Sequence, residues 1–328
     1  MKSPNLFKFA TSELSQDAFI CWLLSWASPE YTGSSLHRCG IELIGRLFEK
    51  HGKELPTEID KVEIIKQDSN IDVLCIVNEK YAILIEDKTG TKNHSGQLSR
   101  YLNEIRSRDF DECNILPIYF KTRDQACYAG VEENGYQVFS RNEFLSVLNL
   151  GVELGINSDI FNDFRNHLKD ISDKVNSYRT LPIDQWYWHS WEGFYMELKD
   201  NLGEGHWDYV SNPAGGFLGF WWHFQGDSAC KQYLQLEESK FCIKIKVNDS
   251  EKRKCFRSKW HKKIVDNSEK HGLNLHKPPK FGNGNYMTVL VSSDEYRQVG
   301  SDGCIDMQST VEYLKKAENL LKYVRETA

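Results

Sequence analysis

Hydrophobic and polar positions alternate with two different periods along the first half of the chain. A helical period, preceded by the cap residues Thr11 and Ser12, gives way to short apolar runs of strand type and then to helices again. Helices are predicted at 13–24, 35–51, 97–107, 142–148 and 158–178, and strands at 62–66, 71–76, 83–88, 115–121 and 136–140. A three-strand meander, a helical crossover and two more strands predict an α/β fold in which helices flank one mixed sheet.

A change of pattern at Leu181-Pro182 marks the predicted domain boundary, between residues 1–180 and residues 181–328. The second part begins with a helix rich in Trp and Tyr and continues with short alternating runs. Its predicted helices are 184–201, 249–271 and 309–325, and its predicted strands are 207–211, 217–224, 233–237, 241–247 and 286–291. This order predicts a C-terminal α+β domain, in which the Trp-rich strand 217–224 belongs to the core or to an interface.

Charged residues stand at the ends of two strands that form a predicted hairpin. Folding this hairpin about Glu79 brings Asp72 opposite Glu86, and the alternation of side chains along a strand puts Glu86 and Lys88 on the same face. Facing carboxylates repel each other and lose hydration at the end of an apolar strand, so the arrangement is unfavourable without a cation. A hard divalent cation such as Mg²⁺, which takes oxygen ligands, removes both penalties.

The same three side chains suit hydrolysis of a phosphodiester bond. A divalent cation held by Asp72 and Glu86 would polarise the phosphorus centre, and Lys88 would orient a water molecule or neutralise a phosphate. The competing interpretation is a surface hairpin whose charged residues are merely solvated.

Composition narrows these interpretations without deciding between them. The 328 residues suffice for two domains, and 40% hydrophobic and 12% aromatic residues exclude a disordered chain. The net charge of −6 provides no general attraction for nucleic acid, so any such binding needs a local basic patch. Nine cysteines without a CxxC pair or a zinc spacing, and no signal peptide or apolar run of membrane length, predict a cytoplasmic protein with reduced thiols and no membrane association.

One basic patch of this kind lies at 240–280, where thirteen Lys or Arg residues accompany four Asp or Glu residues. Phe256 and Trp260 are interleaved with the basic residues. Neutralisation of the phosphate backbone combined with aromatic stacking holds nucleic acid without reading its sequence. The alternative is a solvated basic helix. The candidate nucleic-acid contacts are Arg253, Lys254, Arg257 and Trp260.

Five features in sequence order resemble the PD-(D/E)XK nuclease superfamily, over roughly the first 150 residues. They are an opening helix that begins Glu13-Leu14-Ser15-Gln16-Asp17-Ala18-Phe19, then Glu63, then Asp72, the strand end Glu86-Asp87-Lys88, and the segment Gln97–Tyr101. The group most similar is one of bacterial and phage nucleases, and Gln97 to Tyr101 is similar to the QxxxY motif of RecB-type nucleases. The resemblance implies a restriction-endonuclease-like fold and hydrolysis of nucleic acid, usually DNA, that depends on Mg²⁺ or Mn²⁺.

The resemblance also implies a role for each residue of the metal site. Asp72 and Glu86 would ligate the metal, and the backbone carbonyl of Asp87 would be a further ligand. Glu13 would support the metal directly or through water. Lys88 would position or activate the attacking water.

The helix that follows the hairpin supplies the remaining residues of the resemblance. Gln97 would contact the substrate backbone or orient the site, with Tyr101 beside it. Asp87 departs from the pattern, because it stands where Asn is more frequent. Its side chain is expected on the opposite face of the sheet, paired with a base such as Arg100 or Lys66.

Three functions stay open at this point. The leading hypothesis is a metal-dependent deoxyribonuclease whose C-terminal domain grips DNA or a partner, with phage defence or DNA processing as the roles that the family suggests. The second is a nuclease fold that has lost turnover and acts as a nucleic-acid-binding or regulatory module. The third is a homodimer or partner-binding protein built around the aromatic second domain. Endonuclease or exonuclease action, and DNA or RNA as substrate, are also left open.

Overall fold

The computed structural model describes residues 4–90, 96–212 and 215–327. His94, for which we expect only a structural or surface role, lies outside these residues. The chain divides into two compact units, Met1–Asp173 and Lys174–Ala328. The assignment of a nuclease domain to residues 1–180 and of a binding domain to the remainder stays a prediction.

A five-stranded mixed sheet forms the centre of the N-terminal unit. Its strands, in spatial order, are β1 (Val62–Asp68), β2 (Ile71–Val77), β3 (Tyr81–Lys88), β4 (Ile115–Lys121) and β5 (Gln137–Ser140). The first three strands pair antiparallel, whereas β3, β4 and β5 pair parallel. This is the predicted meander followed by a helical crossover, and the α/β fold with a restriction-endonuclease-like sheet is confirmed.

Helices cover both faces of this sheet. They are α1 (Glu13–Ser25), α2 (Ser35–Glu49), α3 (Gln97–Arg106), the short α4 (Ala129–Glu132), α5 (Arg141–Glu153) and α6 (Asp159–Val175). Apolar residues of α1, α2, α5 and α6 share one core with one face of the sheet. Those of α3 and α4 share a second core with the opposite face. Burial on both faces explains why β3 and β4 read as nearly continuous apolar runs.

The turn between β2 and β3 fixes the register of the hairpin. Asn78 and Glu79 both adopt left-handed backbone angles, with φ of 54°, which suits a tight connection. The Asn78 side chain accepts hydrogen bonds from the backbone N–H groups of Asp60 and Lys61, at 2.8 and 3.2 Å, and so ties the turn to the start of β1. The resulting pairing continues along β2 and β3 to the end that carries the predicted site.

A six-stranded antiparallel sheet forms the centre of the C-terminal unit. Its strands, in the spatial order β10-β11-β9-β8-β7-β6, are β6 (His206–Val210), β7 (Phe217–Gly226), β8 (Lys231–Glu237), β9 (Lys240–Lys246), β10 (Leu275–His276) and β11 (Tyr286–Ser292). The helices of this unit are α7 (Trp188–Leu202), α8 (Arg253–Ser268) and α9 (Met307–Glu326). The predicted C-terminal α+β fold is thus confirmed, apart from the two-residue β10, which sequence reasoning missed.

Among the helices that the structure describes, none is both long enough and apolar enough to cross a bilayer.

Candidate active site

Two carboxylates and an ammonium meet where β2 begins and β3 ends. The pairing of Val73 with Ile85 puts the next residues outward, Asp72 and Glu86, opposite each other. Lys88 Nζ lies 2.5 Å from Glu86 Oε1 and 3.9 Å from Asp72 Oδ2. The Glu86 side chain is fully buried and that of Lys88 is 7% exposed. The structure therefore brings these three predicted residues together as a partly desolvated cluster, which a solvated surface hairpin would not be.

Helix α1 delivers another carboxylate to this cluster. Glu13 is the first residue of α1, and its Oε1 accepts a hydrogen bond from the backbone N–H of Thr89 at 3.2 Å. Its other oxygen lies 3.8 Å from Lys88 Nζ. The start of α1 is thereby fastened to the end of β3, which places the predicted auxiliary acid beside the pair from the hairpin.

Helix α3 contributes the amide and the phenol of the QxxxY pattern. Gln97 is the first residue of α3, after Gly96 in the left-handed conformation with φ of 72°. Gln97 Nε2 donates to Glu86 Oε1 at 2.6 Å and to the hydroxyl of Tyr101 at 3.2 Å. The four-residue spacing puts both side chains on one face of the helix, so the amide links the buried carboxylate to the phenol.

Asp87 points to the opposite face, as the alternation along β3 predicts, but its partner differs from the one expected. Its carboxylate accepts a hydrogen bond from the side-chain amide of Gln16, and Gln16 in turn accepts from the hydroxyl of Thr122 at 2.8 Å. The expected partners were Arg100 or Lys66. An amide on α1 fills that place because α1 packs against the buried end of β3, where Asp87 has no exposed surface.

The backbone of Asp87, unlike its side chain, belongs to the cluster. Its carbonyl oxygen accepts a hydrogen bond from Lys88 Nζ at 3.0 Å, and its N–H donates to Asp72 Oδ2 at 2.9 Å. The predicted carbonyl ligand thus lies beside the ammonium that also contacts Glu86.

The electrostatics of the cluster favour protons or a cation. Burial, followed by the neighbouring Asp72, raises the pKa of Glu86 from 4.5 to about 7, although Lys88 opposes the shift. Burial also raises the pKa of Asp72 itself. For Asp87, burial and then the carboxylate of Asp17 raise the pKa well above its usual value. Without a bound cation, burial and the repulsion between carboxylates therefore disfavour the ionised form of these groups.

The donor atoms fit a hard divalent cation. Glu86 Oε1 is paired with the Lys88 ammonium and accepts a hydrogen bond from the Gln97 amide. No hydrogen-bond donor among the described residues reaches the buried Glu86 Oε2. A buried oxygen without a donor is unfavourable unless a cation engages it. The Asp72 carboxylate and the Asp87 carbonyl add oxygen ligands of the type that Mg²⁺ and Mn²⁺ take.

A model of the PD-(D/E)XK nuclease superfamily matches residues 4–177, just over half of the chain. The chain belongs to the PD-(D/E)XK nuclease superfamily. The match covers the whole mixed sheet and all residues of the cluster, and it supports a metal-dependent nuclease. The assignment to the RecB-like group stays a prediction. No curated protein and no solved structure matches the chain.

Three residues near the site of this PD-(D/E)XK protein were missed or undervalued by sequence reasoning. Gln16 and Asp17 follow Glu13 by three and four residues, so helical spacing alone could have indicated that they reach the same end of the sheet. Burial and then Asp72 raise the pKa of Asp17 to about 6. Lys121 lies beside Lys88 in the parallel β3–β4 register, and burial lowers its pKa to about 8.

Glu63, which forms part of the resemblance to this superfamily, is not brought to the cluster. It pairs with Ile76, towards the other end of β2 from Asp72. Its carboxylate lies 3.6 Å from Lys61 Nζ, and both side chains are about half exposed. Glu63 is therefore a surface residue on the edge strand of the sheet.

The candidate contacts in α8 lie beyond the part that matches the superfamily. Arg253 donates to the backbone carbonyls of Val247, Asn248 and Asn283 at 3.1–3.2 Å. These bonds hold the chain around the start of the helix. A nucleic-acid role for Arg253 stays a prediction, and it would require the guanidinium to exchange these carbonyls for phosphate.

The other three candidates in α8 differ in how far they reach solvent. Arg257 donates to the carbonyl of Gly282 at 2.5 Å and lies over the ring of Phe281. Trp260 belongs to the core and is only 8% exposed. Lys254 is exposed. Of the predicted contacts in this patch, Lys254 is thus the most accessible to a phosphate, and its binding role likewise stays a prediction.

Proposed function

We propose that the chain is a deoxyribonuclease that hydrolyses phosphodiester bonds with Mg²⁺ or Mn²⁺ held by Asp72, Glu86 and the backbone carbonyl of Asp87. The observation that supports this most directly is the buried Glu86 carboxylate. One of its oxygens contacts the Lys88 ammonium and the Gln97 amide, while no hydrogen-bond donor among the described residues reaches the other oxygen. Glu13 supports the same cation directly or through water.

The bound cation would supply Lewis-acid polarisation of the phosphoryl group and a lower pKa for a water molecule. Lys88 supplies positive charge. Burial lowers its pKa, but the carboxylates of Glu86, Asp72 and Glu13 raise it more, so that the net shift is upward. Lys88 is therefore a donor at neutral pH. It orients the attacking water and stabilises the charge that develops on phosphate oxygens.

Gln97 acts on the site by orienting Glu86. Since the Gln97 amide also contacts Tyr101, the first turn of α3 connects the cluster to the surface. A depression of about 360 Å³ adjoins this turn and is lined by Arg100 and Tyr101, among others. Arg100 is exposed and offers a guanidinium to a substrate phosphate. This depression is the proposed path of the nucleic-acid backbone.

DNA as the substrate rests on the superfamily, whose members usually cut DNA. A role in phage defence or DNA processing follows from the same resemblance, whereas the cytoplasmic location rests on the cysteine usage of the sequence.

The test is cleavage of linear, circular and single-stranded DNA and of RNA, each with Mg²⁺, with Mn²⁺ and with EDTA. Wild type is compared with Lys88→Ala and with Lys80→Ala, whose exposed lysine lies at the other end of the same hairpin. We expect metal-dependent cleavage of DNA that Lys88→Ala abolishes and Lys80→Ala retains. If wild type cuts none of these substrates with either metal, the chain is a nuclease fold without turnover and the proposal is wrong.

A further inference from the structure

The sheet of the C-terminal unit has one face covered by helices and one face that carries aromatic and basic side chains. Helix α7 packs on β7, α9 on β8 and α8 on β11. On the other face, Phe224 of β7 is 48% exposed and Tyr286 of β11 is 57% exposed. These two strands are separated by β8 and β9, and exposed rings of this size on one face of a sheet are typical of a surface that binds a partner.

A β-bulge creates the central pair of rings. Trp222 pairs with Leu234 and Gln225 pairs with Gln232, so that two residues of β7 lie opposite the single residue Tyr233. The first of the two is His223, with a left-handed φ of 57°, and its ring is buried beside Glu204. The extra residue shifts Phe224 to the open face.

On that face Phe224 stacks on Tyr233, with ring centroids 4.8 Å apart and an angle of 12° between the planes. Tyr286 meets the same Tyr233 edge-on at 6.4 Å. Trp221, which also belongs to β7, is half-buried. It lines one depression of about 480 Å³ together with Phe224, Tyr233 and Tyr286. Phe224, Tyr233 and Tyr286 thus form one platform of contacting rings, with Trp221 in the same depression. Tyr233 is only 3% exposed and supports its neighbours, whereas Phe224 and Tyr286 face solvent.

Lysines border the platform. Lys231 and Lys246 face each other across β8 and β9, and Lys246 Nζ lies 5.2 Å from the centroid of the Tyr286 ring. Lys244 also lines the depression, but its ammonium is paired with Glu237 at 3.0 Å. The positive charge of Lys231 and Lys246 thus lies at the edge of the aromatic surface, where a chain of phosphates would pass.

We propose that this face, the aromatic platform of Trp221, Phe224, Tyr233 and Tyr286 with Lys231 and Lys246, binds single-stranded nucleic acid. Bases stack on rings whatever their sequence, and the lysines neutralise the phosphates between them. A duplex stacks its bases on one another and cannot offer their faces to the rings. The platform goes beyond the proposed hydrolysis and is distinct from the basic helix α8. DNA and RNA single strands share the chemistry that it recognises.

The experiment measures binding without cleavage, on the full chain carrying Lys88→Ala in the presence of EDTA. The probes are a labelled oligothymidylate, an oligouridylate of equal length and a blunt DNA duplex, titrated by fluorescence anisotropy at several salt concentrations. The test variant adds Phe224→Ala and Tyr286→Ala. Its matched control adds Tyr323→Ala, which removes a 41% exposed ring from α9.

We expect the single strands to bind more tightly than the duplex, and the double aromatic variant to lose about tenfold or more of that affinity, as stacking contributions imply. Replacing Lys231 and Lys246 by Ala should lower the slope of affinity against salt by about 1.4, since each phosphate contact contributes about 0.7 for a single strand. Lys315→Ala with Lys322→Ala on α9 is the matched control. If oligothymidylate and oligouridylate differ, the difference assigns the platform to DNA or to RNA.

One further double variant distinguishes a loss of binding from a folding defect. Phe224→Leu with Tyr286→Leu keeps apolar cover on the sheet and removes the rings, and thermal unfolding monitors both double variants. Weakened single-strand binding in a variant that unfolds like wild type supports the platform. Unchanged affinity in the aromatic variants, or equal affinity for duplex and single strand, overturns it.

The outcome is separable from that of the proposed hydrolysis. A wild-type enzyme that cuts DNA, combined with aromatic variants that bind normally, would leave the nuclease standing and remove the platform. The reverse pair of results would remove the nuclease and leave the platform.

Discussion

Gln97 donates its side-chain amide to Glu86 Oε1 at 2.6 Å, the same oxygen that Lys88 Nζ approaches to 2.5 Å. With two donors on one oxygen, the carboxylate has a fixed orientation, and Oε2 is the atom left for a cation. The helix that begins at Gln97 therefore orients Glu86, the proposed metal ligand on β3. Loss of such a supporting hydrogen bond typically lowers metal affinity or activity by about 10- to 100-fold.

Gln97→Ala should lower the rate of DNA cleavage by about 10- to 100-fold, because it frees the Glu86 carboxylate to turn away from the cation. Mn²⁺ affinity, measured by isothermal titration calorimetry, should fall with it. Asn103→Ala, an exposed position in the same helix, is the control. Equal rates for the two variants would show that Gln97 does not orient the site.

Substitutions of the proposed metal ligands and of Lys88 should have different effects on metal binding. Asp72→Asn and Glu86→Gln each remove a negative oxygen, so both cleavage and Mn²⁺ binding should be lost. Lys88→Ala should abolish cleavage and keep Mn²⁺ binding, because the carboxylates and the Asp87 carbonyl remain. Calorimetric titration with Mn²⁺ checks this, and undiminished Mn²⁺ binding by Asp72→Asn would contradict the ligand assignment.

The metal-free protein should lose stability as pH rises towards neutrality. Burial and Asp72 raise the pKa of Glu86 from 4.5 to about 7 in the folded state, so between these values the folded chain binds more protons than the unfolded chain. The contribution of Glu86 is fully present below pH 4.5 and is lost as pH rises through about 7. Thermal unfolding in EDTA, followed by circular dichroism across this range, measures it.

Glu86→Gln is the control for this pH dependence, since its side chain does not titrate. Its unfolding midpoint should fall less steeply with pH than that of wild type. Added Mg²⁺ should raise the wild-type midpoint more at high pH than at low pH, because the cation competes with protons for the same oxygen. Parallel curves for the two proteins in EDTA would refute the role given to Glu86.

Asp87→Asn should stabilise the metal-free protein at high pH and preserve cleavage. The side chain of Asp87 accepts from Gln16 and faces Asp17, and only its backbone carbonyl belongs to the cluster. An amide oxygen can still accept from Gln16, and the repulsion between carboxylates disappears. Thermal unfolding of the two proteins should therefore converge as pH falls and diverge as pH rises. Asp87→Leu, which removes the acceptor, should be destabilised at every pH.

Local patterns predicted the hairpin and the meeting of Asp72, Glu86 and Lys88, because both are set by neighbours in sequence. The short turn after Val77 and the alternation of side chains determine which residue faces Glu86. The Gln16 partner of Asp87 could not be read in this way, since the two residues are 71 positions apart and meet only when α1 packs on the sheet.

Helix α8 contains a pattern of buried positions that its many basic residues made hard to recognise in the sequence. Trp260, Ile264 and Ser268 recur every four residues, and all three are buried. This stripe predicts a packed face, but the surrounding Lys and Arg residues suggested a binding role for Trp260. The bulge at His223 had no comparable signal in the sequence, because His is not a residue that indicates a left-handed backbone. Only the pairing of β7 with β8 reveals the bulge.

The fastening of α1 to the end of β3 has a consequence for how the protein is made. Glu13 and Thr89 are 76 residues apart and fasten α1 beside the cluster. Gln16 and Thr122 are 106 apart and hold the amide that contacts the Asp87 side chain. Contacts between such distant segments form late, after the loops between them have closed. The second pair cannot form until Thr122 has been synthesised, so the contacts of α1 with the ends of β3 and β4 are completed only after most of the N-terminal unit has been made.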